Sequence, residues 1–151
     1  MIGISSCLCG LNCTYAGKNN LEPLASYLIE SKLAIQVCPE VLGGLSIPRT
    51  PCEIVGDKVL SIDGKDFTQE YNLGAKKALK ILKDNDVDVF FTKFRSPSCG
   101  NRKVYDGTFS HKLVDGDGIA VKLFKENGIK VFSENEIEEF KEYIRERGIR
   151  I

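Results

Sequence analysis

Val87-Asp88-Val89-Phe90-Phe91-Thr92, followed after six residues by Cys99-Gly100, decides the fold. Residues 87–92 are almost continuous β-formers, the pattern of a strand buried on both faces in a parallel sheet. The segment before it, Thr68 to Asn85, spaces Tyr71, Ala75, Ala78, Leu79 and Leu82 along one helical stripe, with Thr68 as its expected N-cap. After it, Asp117 to Asn127 reads as a helix stopped by Gly128, and Ile129 to Phe132 as another strand. Ser133 and Glu136 then form a Ser-x-x-Glu capping box for a charged final helix. Toward the N-terminus, Ile2 to Ser5 and Ala34 to Cys38 are short strands flanking a helix over Leu21 to Lys32, whose Pro23 is tolerable in the first turn. Residues 39–66 are rich in Gly and Pro, with a small hairpin expected at Glu53 to Ile62. Strands alternating with helices predict an α/β fold, a single Rossmann-like domain over residues 1–151 with a mainly parallel sheet and flanking helices.

A chain of 151 residues can build its core without staples. Its 21 basic and 21 acidic residues balance, so charge points to neither a nucleic-acid nor a membrane partner. The four lysines within residues 76–83 read as the wet face of a helix. No apolar run approaches the roughly 20 residues of a membrane span, and the start lacks the basic segment of a signal peptide. The expected location is cytoplasmic. There, six cysteines point to metal binding or catalysis more than to disulfides.

Cys7 falls just after the first predicted strand, Cys38 at the end of the second and Cys99 in the loop after the third long one, where ligands of open parallel sheets gather. Gly10, Pro39 and Gly100 follow them and allow sharp turns around a bulky group. Three thiolates suit a zinc site with one open position or an iron–sulfur cluster; core thiols or a redox pair are the bland alternatives. His111 is the only histidine, which removes most zinc-hydrolase and Cys–His nucleophile schemes. The H-x-E and P-C-x-x-C signature of zinc deaminases is missing.

Several ordered segments together narrow the choice. Ser5-Ser6-Cys7-Leu8-Cys9-Gly10-Leu11-Asn12-Cys13-Thr14-Tyr15, Cys38-Pro39-Glu40-Val41-Leu42-Gly43-Gly44-Leu45 and Pro48-Arg49-Thr50-Pro51 with Glu53 come first. Arg95-Ser96-Pro97-Ser98-Cys99-Gly100, Tyr105-Asp106-Gly107-Thr108-Phe109 and Gly116-Asp117-Gly118 follow. In this order they resemble the signatures of the domain of unknown function 523 family, which includes the thiouracil desulfidases, from residue 3 to about residue 134. The resemblance implies a 4Fe-4S cluster with one non-protein-ligated iron, held by Cys7, Cys38 and Cys99. Cys13, in the same loop as Cys7, is the alternative ligand. The family's active-site Glu and Ser fall on Glu40 and Ser96. Thr14 and Ala16 stand where relatives often carry Arg and Asp, and Cys9 and Cys52 where no cysteine is required.

The implied reaction is non-redox desulfuration of a small thiolated base or nucleoside. Iron would polarise the C=S group, Glu40 would deprotonate a water, and Ser96 would orient it or shuttle a proton. Backbone amides near Ser98 to Gly100 are expected to tune the cluster. Glu40 could instead cap its loop or pair with Arg49, and Ser96 could be a turn residue. Arg49 and Arg95 are substrate contacts or loop salt bridges, Tyr105-Asp106-Gly107 a tight turn, and Gly116-Asp117-Gly118 an anion cradle or a helix cap. The rival functions are a cluster-based sulfur carrier or tRNA-thiolation partner, and a non-enzymatic metal-binding module.

Overall fold

The computed structural model describes residues 1–151. In chain order the elements are β1 (Ile2–Ser5), α1 (Pro23–Glu30), β2 (Ala34–Val37), α2 (Pro39–Leu42), β3 (Cys52–Val55), β4 (Lys58–Ser61) and α3 (Thr68–Asp84). There follow β5 (Val89–Thr92), β6 (Lys103–Tyr105), β7 (Leu113–Asp115), α4 (Ile119–Glu126), β8 (Lys130–Ser133) and α5 (Ile137–Glu146). The main sheet has the order β2-β1-β5-β8, and all three pairings are parallel. β3-β4 and β6-β7 are separate antiparallel ribbons. The chain leaves β1 to one side for β2 and later returns to its other side for β5. This change of direction opens a crevice at the carboxyl ends of the strands.

Alternation along the strands feeds two cores. Ile2, Ile4, Val89, Phe91 and Phe132 face Ala25 and Leu28 of α1 and Phe140 and Ile144 of α5. Phe90 and Val131 face Ala75, Ala78 and Leu82 of α3 and Ala120, Val121 and Phe124 of α4. Phe91 stacks on Phe140 at 4.5 Å, and Phe90 meets Phe124 edge-on at 5.0 Å. Gly3 makes the second core fit, because a Cβ there would lie 2.7 Å from the Phe90 ring.

The predicted α/β class, every predicted strand and every predicted helix are present. Gly128 ends the segment after α4 at φ +80°, and Glu136 accepts the Ser133 N–H at 3.1 Å, as the capping box requires. Thr68 differs from expectation: it is the first helical residue, and its N–H is taken by Asp66 Oδ1 at 2.9 Å. Its own hydroxyl accepts the Val59 N–H at 2.9 Å and ties α3 to β4. Helix α2 and the β6-β7 ribbon carry no periodic signal in the sequence, being only four and three residues per element. No helix is long and apolar enough to cross a membrane.

Candidate active site

The carboxyl ends of β1, β2 and β5 bring four thiols together. β1 runs into a 3-10 turn over Ser6–Cys9, closed by Gly10 at φ +89°, which buries Cys7. Cys38 is the half-buried N-cap of α2, where Pro39 presets the first helical φ. Cys99 is buried in the loop after β5. Burial, opposed by a hydrogen bond with Asn20 and aided by charge repulsion from Cys38, pushes the Cys7 thiol up to about 11. Burial pushes Cys99 up to about 12, with the same push from Cys38 and Cys7 and relief from the Ser5 and Ser98 side chains. Cys38 goes the other way, down to about 7, chiefly because the Cys13 thiol donates a hydrogen bond to it, with help from the Val41 N–H. Cys13 is raised accordingly. The structure therefore gathers Cys7, Cys38 and Cys99 and adds Cys13 to the group. Cys9 points to the Ser5 carbonyl at 3.9 Å and Cys52 to the Thr50 carbonyl at 3.6 Å.

Beside the thiols, α2 presents Glu40. Its Oε1 accepts from Arg49 Nε at 3.2 Å and the Tyr71 hydroxyl at 2.9 Å, and pairs with the Arg49 Nη2 charge at 3.1 Å. Its Oε2 accepts from the Ser98 hydroxyl at 2.8 Å and the Ser96 hydroxyl at 3.2 Å. The Arg49 and Glu40 side chains are only 7% and 13% exposed, so this is a buried ion pair. Such a pair is tolerable because its remaining valences are filled. Arg49 also donates to the carbonyls of Cys13 at 2.9 Å and Ser46 at 3.0 Å. Tyr71 reaches Glu40 because α2 and α3 touch backbone to backbone. A Cβ on Gly74 would sit 1.8 Å from the Pro39 carbonyl oxygen, and one on Gly43 2.0 Å from that of Glu70.

The Ser96–Gly100 loop is clamped from within and from behind. Ser96 Oγ accepts the N–H groups of Ser98 at 3.2 Å and Cys99 at 3.1 Å. The carbonyls of Pro97, Ser98 and Gly100 turn outward and accept the N–H groups of Ile119, Ala120 and Gly118 at 2.8, 3.0 and 2.8 Å. The amides at the start of α4 are thus occupied, and the Gly116-Asp117-Gly118 motif is a cap for this loop. Gly118 is required there, since a Cβ would lie 2.4 Å from the Ser98 carbonyl carbon. Asp117 accepts the Arg102 N–H at 2.9 Å.

Glu40, Ser96 and the three cysteines thus share one site, and the expected Glu40–Arg49 pair forms within it. Arg95 is elsewhere, exposed over the Phe94 ring at 5.5 Å. Tyr105-Asp106-Gly107 turns the β6-β7 ribbon, and the buried Glu53 holds that turn through the N–H groups of Gly107 at 3.0 Å and Phe109 at 3.2 Å. Sequence reasoning missed Ser98 and Tyr71 as site residues. Tyr71 looked like one more apolar stripe position. Ser98 had a signal in hindsight, a hydroxyl next to a ligand candidate, but nothing to say that it reaches Glu40.

A domain of this fold and sequence has relatives among known proteins. Residues 2–136 match the family described as 2-thiouracil desulfurase. The uncharacterized protein YbbK of Bacillus subtilis (strain 168) is 39% identical over 140 residues, covering 86% of this chain and 93% of the relative. The solved structure of a [4Fe-4S]-dependent thiouracil desulfidase, TudS, is similar at a TM-score of 0.90 and 34% identity, over 95% of this chain and 97% of that one. The chain belongs to the 2-thiouracil desulfurase family of enzymes.

Proposed function

We propose that the protein replaces the sulfur of a thiolated pyrimidine, as free base or nucleoside, with oxygen from water and releases sulfide, using a 4Fe-4S cluster held by Cys7, Cys38 and Cys99. The donor set fits such a group. It is all thiol, and the nearby carboxylate is fully engaged and so is not competing as a ligand. No three His, Cys, Asp or Glu side chains converge as the ligands of a single ion do, whereas a cluster presents a different iron to each thiolate. When bound, the cluster supplies an iron free of protein ligands, a Lewis acid for the substrate sulfur. Cys7 is preferred to Cys13 as a ligand because the family motif places the ligand on it. All six cysteines are unpaired, which suits a reducing cytoplasm.

The chain's own residues manage water and protons. Arg49 and Tyr71 fix Glu40 Oε1. Oε2, which meets only hydroxyls that can rotate, is the oxygen that takes a proton from the attacking water. Ser96, held by two backbone amides, orients that water. The C–O bond forms, the C–S bond breaks, and sulfur departs as hydrosulfide without net electron transfer. The observation carrying this reading is one buried carboxylate with two serine hydroxyls on a single oxygen, next to grouped thiols at the strand ends.

The test is anaerobic purification, then iron and acid-labile sulfide analysis of wild type beside Cys7→Ala, Cys38→Ala and Cys99→Ala, with thiouracil loss and sulfide release followed in parallel. Cluster binding and turnover by wild type, both lost in each variant, are expected. Wild type that holds only zinc, or nothing after cluster reconstitution, overturns the proposal.

A further inference from the structure

The carbonyls of the Ser96–Gly100 loop do not all point alike. Those of Pro97, Ser98 and Gly100 go outward to α4, and that of Ser96 closes the loop on the Gly100 N–H at 2.7 Å. The Cys99 carbonyl alone turns back to the sheet, where its one hydrogen-bond donor is the Thr92 hydroxyl at 2.5 Å. Thr92 is the last residue of β5 and is fully buried. Its Oγ1 also lies 3.2 Å from Ser5 Oγ, at the buried end of β1, and Ser5 Oγ accepts the Lys93 N–H at 3.2 Å.

A hydroxyl has one proton to give, and that of Thr92 goes to a carbonyl, which can only accept. The Ser5–Thr92 contact is therefore donated by Ser5. Lys93 N–H, Ser5 O–H, Thr92 O–H and Cys99 C=O form a chain of one polarity, with a backbone donor at one end and a backbone acceptor at the other. The chain joins two segments that carry proposed ligands: Ser5 stands just before the turn that holds Cys7, and Thr92 grips the Cys99 backbone. A position this deep in a strand suits Val as well as Thr, and a buried hydroxyl costs free energy unless it is used.

We propose that Thr92 is a positioning residue for the cluster, holding Cys99 against the end of β1 and so setting the span between Cys99 and Cys7; this rests on the functional reading above. The role concerns where the Cys99 backbone lies. Each thiolate of such a site takes a different iron, so ligands held at the right span bind the cluster with little reorganisation. Helix α4 holds the loop from outside, and Thr92 holds it from the sheet beneath.

The experiment compares wild type, Thr92→Val, Thr92→Ser and Ile144→Val, each loaded anaerobically with its cluster. Thr92→Val keeps the shape and removes the donor. Ile144→Val trims the core under α5 and weakens the fold away from the loop. The readout is the rate at which iron passes to the chelator bathophenanthroline, with thiouracil turnover followed alongside. Thr92→Val is expected to release iron about tenfold faster or more, Thr92→Ser to return toward the wild-type rate, and Ile144→Val to stay near it. Release from Thr92→Val at the wild-type rate, from Ile144→Val as fast as from Thr92→Val, or from Thr92→Ser as fast as from Thr92→Val, overturns the proposal. If Thr92→Val takes up no cluster, Ser5→Ala decides, because it removes the hydroxyl that supports Thr92; faster release is expected, and an unchanged rate overturns the proposal. Wild type that holds the cluster yet leaves thiouracil intact defeats the functional reading alone, since the release rates still test Thr92. Wild type that takes up no cluster overturns both.

Discussion

The two ends of the parallel sheet are built in opposite ways. At the amino ends, turns return the chain with ordinary backbone bonds, such as Ile2 N–H to the Leu33 carbonyl and Lys130 N–H to that of Asp88. The charges there, Asp88 and Arg147, pair on the surface at about half exposure. At the carboxyl ends polar groups go inside. Ser5, Thr92, Ser98 and Glu40 are buried or nearly so and are bonded to one another or to the cysteine loops. Burying polar groups costs free energy unless each finds a partner, and even then the net gain is small. A purely structural end would resemble the amino ends. The contrast locates the function without reference to any motif.

Breaking the carboxyl end is expected to have the largest effect. Glu40→Gln removes the proposed proton acceptor and should lower kcat roughly 10²- to 10⁴-fold. It also strands the Arg49 charge in a buried site, at a stability cost of about 3 kcal/mol, seen as a lower midpoint in thermal or urea unfolding. A variant that unfolds normally and turns over thiouracil at the wild-type rate would remove Glu40 from the mechanism. Next comes Gly74→Ala, which drives a methyl group into the Pro39 carbonyl and pushes α2 away from α3. About 2–3 kcal/mol of destabilisation is expected, or a midpoint lower by about 4–12 °C, with reduced kcat because Glu40 rides on α2. A loss of stability alone, with kcat intact, would show that α2 can shift without disturbing the carboxylate.

The smallest effect belongs to the amino ends. Asp88→Asn should cost about 0.2–1 kcal/mol and leave turnover unchanged. The Arg147 hydrogen bond holds the Asp88 carboxyl below its usual range. The wild-type advantage should therefore be full above the unfolded carboxylate value of about 3.9 and fade as pH falls through the lower folded value. Unfolding midpoints of the two proteins that converge toward neutral pH instead would assign the stabilisation to another group.

The same contrast explains what the sequence disclosed. The strands, and helices such as α3, were legible because burial repeats along them, in the run Val89 to Thr92 or the stripe from Tyr71 to Leu82. The cysteines were legible because each follows a strand. Thr68 misled because Asp66 lies two residues upstream and competes for the same cap. The β6-β7 ribbon was hidden because its turn depends on Glu53, some 50 residues earlier in the chain, and on Phe109 and His111 at φ +58° and +62°. Ser98 and Tyr71 were hidden for a related reason. Their part in the site comes from distances set by the α4 clamp and by the Gly43–Gly74 contact, and neither leaves a local periodic trace.

The cap that α4 places on the Ser96–Gly100 loop has a kinetic consequence. The N–H groups of Gly118, Ile119 and Ala120 are spent on the loop, and those of Ser98 and Cys99 on Ser96 Oγ. These amides belong to one cooperative unit and can meet solvent deuterium only when the helix leaves the loop. They are expected to exchange together, at the slow pace of global opening, while the exposed turn around Ser110 exchanges early. A substrate bound as proposed would meet a fixed anvil on this side of the crevice, leaving any motion to the facing segments.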